Sequence, residues 1–208
     1  MARRADLVFW TSLAAFALLS VVVHARLLHP IDVWLLRVAQ SRASEYLDAA
    51  ATIFSVYGAA EYSGAAMLAL TVGLFSADQR LLAGYLLVAF LLTGLLELAM
   101  KLWLPQVPVP EEAARSTDPT LTLEVDTPHP YPSGHMLRSV IVFGAIFALW
   151  PNKLLRAAIL VSVIGLAASR VYLGVHWASD VIGGALLGVA ALAWAFKRRK
   201  VESWRSRS

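Results

Sequence analysis

The sequence has no cysteine and few charged residues: none of its 208 residues is Cys, and only 15% are Asp, Glu, Lys or Arg. The absence of cysteine excludes disulfides, zinc–thiolate sites, iron–sulfur clusters and cysteine nucleophiles. Soluble domains average about 25% charged and roughly 45–50% apolar residues, whereas this chain is 59% hydrophobic, with a mean hydropathy of +0.65. The composition excludes a disordered or collagen-like chain, argues against a soluble globular protein, and predicts a membrane protein.

Six apolar runs are long enough to form transmembrane helices. A membrane core of about 30 Å requires roughly 20 apolar residues per helix. The runs are 7–23, 59–76, 81–104, 135–150, 154–172 and 177–196. They predict an all-α, polytopic membrane protein with six transmembrane helices in one bundle. The rest of this single domain, 1–208, consists of a connection at 23–58, a Pro-rich loop at 105–132 and a basic tail at 197–208.

The placement of Lys and Arg predicts the orientation, because positively charged loops are retained in the cytoplasm. An even number of helices puts both termini on one side, which then carries eleven of the 18 basic residues. They are Arg3, Arg4, Arg80, Lys153, Arg156, Lys197, Arg198, Arg199, Lys200, Arg205 and Arg207. We expect a multi-pass protein of a bacterial inner membrane with cytoplasmic termini, in which 23–58 and 105–132 are periplasmic. This topology accounts for the net charge of +4. We expect no nucleic-acid partner, since the sequence has no recognisable nucleic-acid-binding module.

The first apolar run could instead be a signal peptide, because Arg3 and Arg4 precede it and 23–25 is a tolerable cleavage site. The apolar core of a signal peptide usually has about 7–15 residues, and the run at 7–23 is longer. We therefore expect the first helix to be retained.

Ionisable side chains gather near the predicted outer surface. They are Glu97, Lys101, His135, Arg138, Arg170, His176 and Asp180. Each such group costs at least about 2.5 kcal/mol at membrane depth on insertion scales, so it is usually paired, exposed to water or functional.

The segment 131–135, Tyr-Pro-Ser-Gly-His, is typical of a helix start. Ser133 can cap the helix, and the amides of Gly134 and His135 lie at the positive end of the helix dipole. Such a terminus binds anions, and glycine lets a phosphate approach the backbone closely. His135 could donate a proton to a leaving oxygen. The alternative is an ordinary capped helix with an interfacial histidine.

A second pattern begins at Ser169 and Arg170, which are followed after five residues by His176 and after three more by Asp180. On a helix, Asp180 would lie one turn from His176 and could fix its tautomer. A histidine held in this way can act as nucleophile or base, and Arg170 offers a planar fork that fits phosphate oxygens. The alternative is a structural pair that joins two helices.

Glu97 and Lys101 have the i, i+4 order that favours a helical ion pair. Lys101 could also snorkel to the lipid headgroups or bind phosphate as a point charge.

These residues resemble the motifs of the type 2 phosphatidic acid phosphatase superfamily, integral membrane lipid phosphatases related to vanadium haloperoxidases and bacterial acid phosphatases. The family pattern is Lys, six residues and Arg-Pro, then Pro-Ser-Gly-His, then Ser-Arg, five residues, His, three residues and Asp. The second part is matched by Pro132, Ser133, Gly134 and His135, and the third by Ser169, Arg170, His176 and Asp180.

The first part of the family pattern is incomplete. Lys101 is present, but Pro108 and Val109 occupy the positions of the expected Arg-Pro. The missing guanidinium could come from Arg115 in the same loop or from Arg138, one helical turn after His135 and on its face. We favour Arg138 because a helix fixes its backbone.

The resemblance implies a mechanism without a cofactor. His176 would attack phosphorus to form a phosphohistidine, Asp180 would orient its ring, and His135 would protonate the leaving oxygen and later activate water. The remaining residues would bind the phosphate oxygens: Lys101, Ser133, Gly134, Arg170 and, in place of the missing arginine, Arg138 or Arg115. No metal is expected, since the sequence has no compact carboxylate cluster near the motif to hold magnesium.

The expected substrate is a lipid phosphate or pyrophosphate of the phosphatidic acid, phosphatidylglycerol phosphate or polyprenyl type, reached from the bilayer on the extracytoplasmic side. One alternative is a lipid phosphotransferase of the same fold. Another is a non-catalytic lipid-binding or transport protein, for which the missing Arg-Pro is the best argument. The intact His135, His176 and Asp180 argue against it.

Overall fold

The computed structural model describes residues 2–115 and 127–205. Within these ranges the chain is all-α, and its eight α-helices are α1 Ala2–His24, α2 His29–Gln40, α3 Glu45–Val56, α4 Ala60–Ser76, α5 Arg80–Trp103, α6 Gly134–Leu149, α7 Lys153–Tyr172 and α8 Ala178–Arg205. A short 3-10 turn, Glu111–Ala113, follows α5. The predicted loop 105–132 falls partly on 116–126, which lies outside the described residues.

The helices begin near the predicted positions, and polar caps fix some of these starts. Asn152 accepts a 2.9 Å hydrogen bond from the backbone N–H of Leu155 at the start of α7. Ser133 precedes α6 as expected, but its side chain makes no cap hydrogen bond, so the prediction that its hydroxyl caps this helix is wrong. At the other end of the chain α8 continues past the predicted boundary through the basic segment to Arg205.

Four helices, α1, α5, α7 and α8, are long and apolar enough to cross a membrane individually. A fifth candidate is the pair α3 and α4, which is bent by 42° at its break. The helix α6, with 16 residues, is apolar but shorter. By length and composition the described residues thus hold four or five candidate spans, and a bundle of six remains a prediction.

The centre of the bundle is α8, which packs against α1, α5 and α6, while α7 packs against α3 and α6. Leu82, Leu86, Leu137 and Ile141 are at most 1% exposed in the main apolar core. Small residues bring α6 and α8 close together: a Cβ added to Gly188 would lie 2.9 Å from the Val140 side chain.

The outward faces of the long helices carry large apolar side chains. Leu18, Leu95 and Ile164 are each 65–67% exposed. Many large exposed apolar side chains on long helices are typical of contact with lipid. The fold therefore has both a packed interior and an apolar exterior, as a membrane protein requires.

The predicted connection at 23–58 forms α2 and α3. Along α2, Ile31, Trp34 and Val38 are exposed at helical spacing, as is Leu27 just before the helix, whereas Asp32 and Leu36 are buried. Such an amphipathic face is typical of a helix that lies in a membrane interface. Its buried side packs against α7 and α8, so α2 also supports the part of the fold that carries the motifs.

Candidate active site

One end of the bundle contains a cavity of about 680 Å³ into which the motif residues converge. The end of α5 contributes Lys101, the start of α6 contributes His135 and Arg138, and the corner between α7 and α8 contributes Arg170 and His176. Segments far apart in the sequence thus place two imidazoles and three cations around one space. This combination suits the binding of a multiply charged anion.

His176 lies in this corner, and Asp180 lies in the first turn of α8. The Nδ1 atom of His176 is 3.3 Å from Oδ2 of Asp180. The same carboxylate oxygen accepts a 2.9 Å hydrogen bond from the backbone N–H of Trp177. Because Nδ1 faces the carboxylate, Nε2 is left for other chemistry.

Burial lowers the pKa of the His176 imidazole well below its usual value, and the nearby positive charges of Arg170 and Lys101 act in the same direction. This shift favours the neutral form of the ring. A neutral imidazole has the free electron pair that a nucleophile needs.

The other oxygen of Asp180 has a partner that sequence reasoning missed. The side-chain amide of Gln106 donates a 2.7 Å hydrogen bond to Oδ1 of Asp180. The same loop is held in place by the indole N–H of Trp177, which donates to the carbonyl oxygen of Val107 over 2.7 Å. The only sequence signal was a lone amide directly after Pro105 at the end of an apolar helix.

The start of α6 packs tightly against its neighbours. Ser133 is fully buried, and its backbone N–H donates to the carbonyl oxygen of Asp180 over 3.0 Å. Its hydroxyl has no hydrogen-bond partner among the residues the structure describes. A Cβ on Gly134 would overlap the Glu97 carboxylate, so the glycine lets this carboxylate lie against the start of α6. Neither Ser133 nor Gly134 lines the cavity directly.

Glu97 bridges two of the cavity's cations. Its Oε1 lies 3.0 Å from Nζ of Lys101, and its Oε2 lies 2.8 Å from Nη1 of Arg138. The predicted ion pair between Glu97 and Lys101 is thus formed. The second contact joins α5 to α6 and turns the Arg138 side chain toward the cavity.

Arg170 is held by a residue of α3. Its Nη1 donates a 2.6 Å hydrogen bond to the hydroxyl oxygen of Ser55, and both side chains are buried. The Arg170 carbonyl oxygen accepts hydrogen bonds from the backbone N–H groups of Val175 and His176. The turn between these residues uses Gly174 at a φ of +68°, a conformation that favours glycine.

Arg115, the alternative to Arg138, lies elsewhere. Its Nε and Nη2 donate to the two carboxylate oxygens of Asp48 over 2.6 and 2.8 Å. Its guanidinium also lies 5.6 Å from the centre of the Tyr172 ring. Arg115 does not line the cavity; it joins the loop after α5 to α3 and α7.

Asp32 of α2 is a second residue that sequence reasoning left without a site role. Its carboxylate accepts hydrogen bonds from the backbone N–H and the hydroxyl of Ser179 over 2.9 and 2.7 Å. Burial raises the pKa of this carboxyl group, against the opposing effect of the Ser179 hydrogen bonds. Asp32 thereby anchors the first turn of α8, on which Asp180 lies.

The geometry agrees with comparisons to known proteins. The family model of the PAP2 superfamily matches residues 80–204, more than half of the chain. An undecaprenyl-diphosphatase of Sulfolobus acidocaldarius is 41% identical over 73 residues, which are 34% of this chain and 34% of that protein. The match therefore spans about a third of the length of this curated relative.

Two solved structures share the fold. The first transmembrane PAP2 type phosphatidylglycerolphosphate phosphatase from Bacillus subtilis superposes with a TM-score of 0.76 at 20% identity, over 93% of this chain and 96% of that one. The LpxE structure of Aquifex aeolicus gives a TM-score of 0.59 at 20% identity, over 79% of this chain and 94% of that one. The likeness extends over most of the present chain, including the helices before the matched family region.

Proposed function

The chain belongs to the PAP2 superfamily, and from this premise we propose that it is a membrane phosphatase that hydrolyses the terminal phosphate of a lipid phosphate or pyrophosphate. The single observation that carries the proposal is the convergence of His176, held by Asp180, with His135 and the cations Lys101, Arg138 and Arg170 at one cavity. A nucleophile, an acid and three phosphate ligands are then present together.

In the first step Nε2 of His176 attacks phosphorus, and the bond to the leaving oxygen breaks. Asp180 accepts the Nδ1–H of His176 and offsets the positive charge that develops on the ring. His135 acts as the general acid and gives a proton to the departing alkoxide or phosphate. The products are the alcohol or shortened phosphate and a phosphohistidine on His176.

In the second step water attacks the phosphohistidine. His135, now neutral, takes a proton from the water, the phosphorus–nitrogen bond breaks, and inorganic phosphate forms while His176 is regenerated. Lys101, Arg138 and Arg170 hold the non-bridging oxygens in both steps, because electrostatic positioning supplies most of phosphoryl-transfer catalysis. All the acid–base and charge-stabilising roles are filled by side chains of this chain, so we propose that the reaction needs no metal.

The proposed topology has six spans, one made by the shorter helix α6 and one by α4, the predicted run 59–76, with both termini cytoplasmic. It is supported by the location of the cavity, which lies where α5 and α7 end and α6 and α8 begin. The basic end of α8 lies at the opposite end of that helix. The cavity would then open to the periplasm, where a lipid can present its phosphate from the bilayer.

The proposal is tested by phosphate release from a panel of lipid phosphates and pyrophosphates, with detergent-purified protein and EDTA. Release is expected from the wild type and from His24→Ala, a control at an exposed histidine, but not from His176→Ala. Release that survives in His176→Ala, or stops in EDTA, contradicts the mechanism. Transfer of the phosphoryl group to an added lipid alcohol without release to water would identify a phosphotransferase instead.

A further inference from the structure

The carboxylate of Glu97 lies inside the cavity proposed to bind phosphate. Its side chain is only 8% exposed, and those of Lys101 and Arg138 are 17% and 16% exposed. Each of its two oxygens contacts a different cation. It also lies against Gly134, where an added Cβ would overlap it. A carboxylate is therefore built into the position where two cations and the start of α6 meet.

A phosphate group that binds to Lys101 and Arg138 must share them with this carboxylate. The Arg138 guanidinium has further N–H donors besides the one bonded to Glu97, and its buried Nε has no hydrogen-bond partner within 2–115 and 127–205. The cavity lining otherwise carries the positive charge of Arg170 and the imidazoles of His129, His135 and His176, while the second lining carboxylate, Glu111, is exposed. Glu97 is thus the buried negative charge that an incoming phosphate faces.

Two like charges near one cation pair repel each other, and the repulsion is strong where water is scarce. We propose that Glu97 is an internal counter-anion that holds Lys101 and Arg138 in place and limits how tightly the cavity retains phosphate. This inference rests on the proposed function, since inorganic phosphate is the product that must leave. Glu97 would then set the affinity of the cavity for phosphate. The same cavity lacks the Arg-Pro of the family's first motif.

A purely structural ion pair predicts a different result. If Glu97 only ties α5 to α6, its neutralisation lowers stability and leaves phosphate affinity unchanged or weaker. If it is a counter-anion, the isosteric change Glu97→Gln removes the repulsion, keeps the side-chain volume and strengthens phosphate binding. The sign of the change in affinity therefore separates the two roles.

The test is calorimetric titration of inorganic phosphate into the detergent-purified full chain. For Glu97→Gln we expect the dissociation constant to fall about tenfold or more, since tenfold corresponds to about 1.4 kcal/mol. Glu111→Gln, at an exposed carboxylate that lines the same cavity, is the matched control and should stay within about twofold of the wild type. Glu97→Ala gives a second neutral variant, for which tighter binding is also expected.

An unchanged or larger dissociation constant in a folded neutral variant overturns the proposal, as does failure of both neutral variants to fold, which would show a structural role alone. Phosphate release from lipids by the wild type is scored separately. If the wild type binds phosphate but releases none from any lipid, the proposed function fails while the role of Glu97 in affinity is still measured.

Discussion

The side-chain amide of Gln106 donates a 2.7 Å hydrogen bond to Oδ1 of Asp180, while Oδ2 of the same carboxylate faces Nδ1 of His176. The loop after α5 thus contacts the group that orients the proposed nucleophile. Gln106 and Asp180 are 74 residues apart. This contact makes Gln106 a positioning residue, although it belongs to none of the family motifs.

Replacing Gln106 with Leu should lower kcat/KM by about ten- to a hundredfold, the effect of losing a hydrogen bond to a charged group worth roughly 1.5–3 kcal/mol. Asp180 would then attract the His176 proton more strongly, so the acidic limb of the pH–rate profile should move to higher pH. Gln79→Leu, before α5 at its other end, is the control. A fall in stability with an unmoved pH profile would mean that Gln106 only supports the loop.

The low pKa of His176 predicts how activity depends on pH. Burial and nearby cations favour the neutral ring, so His176 should stay neutral at its ordinary pKa of about 6.5 and gain a proton only at lower pH. Activity that requires the neutral ring should therefore persist as the pH falls through 6.5. Nitrogen-15 NMR of labelled histidines, assigned with His176→Ala, measures this directly, and an imidazolium signal from His176 at pH 6.5 would contradict it.

The two candidate replacements for the missing arginine should respond differently to truncation. Arg138→Ala removes a guanidinium from the cavity and is expected to lower kcat/KM by about ten- to a hundredfold. Arg115→Ala breaks the pair with Asp48 away from the cavity, so it should cost less turnover and lower the unfolding temperature instead. The measurements are kcat/KM and the unfolding temperature of both variants. A larger loss of kcat/KM in Arg115→Ala than in Arg138→Ala would show that Arg115 is the residue that binds the phosphate.

Close packing of α6 and α8 should make Gly184 intolerant of a side chain. An added Cβ would overlap the carbonyl oxygen of Ser133, and overpacking of this kind costs about 1–3 kcal/mol. Gly184→Ala is therefore expected to lower the unfolding temperature in detergent. Gly73→Ala is the matched control, because a Cβ there meets nothing within 4 Å. Equal unfolding temperatures for the two variants would refute this account of the packing.

Asp32 does not line the cavity, but we expect its replacement to lower activity. Asp32→Ala removes both hydrogen bonds to Ser179 and leaves the first turn of α8 without its anchor. We expect a lower unfolding temperature together with a lower kcat, because Asp180 lies on that turn. Asp32→Asn, which keeps one acceptor oxygen, should recover part of both. A variant that is destabilised but turns over at the wild-type rate would show that α2 has no influence on the site.

The sequence alone determined the all-α class, the positions of the apolar runs and the local pairs. These properties depend on composition and on spacings of a few residues: Glu97 with Lys101 and His176 with Asp180 are both i, i+4 pairs. The motif spacing also identified the family that the comparisons show. Helix geometry brings Glu97 and Lys101 together within α5, and the short turn that leads into α8 brings His176 close to Asp180.

Only the tertiary structure decided which distant residues complete the site. Gln106 with Asp180, Ser55 with Arg170, and Asp32 with Ser179 are 74, 115 and 147 residues apart, and no local periodicity encodes such pairs. The tertiary structure also places Arg138 at the cavity and pairs Arg115 with Asp48. The hydroxyl of Ser133 does not make the N-cap hydrogen bond that a serine at this position usually makes. The physical reason is that these partners are determined by how α8 packs against α2, α5 and α6 and how α7 packs against α3, which depends on the whole buried surface of the bundle.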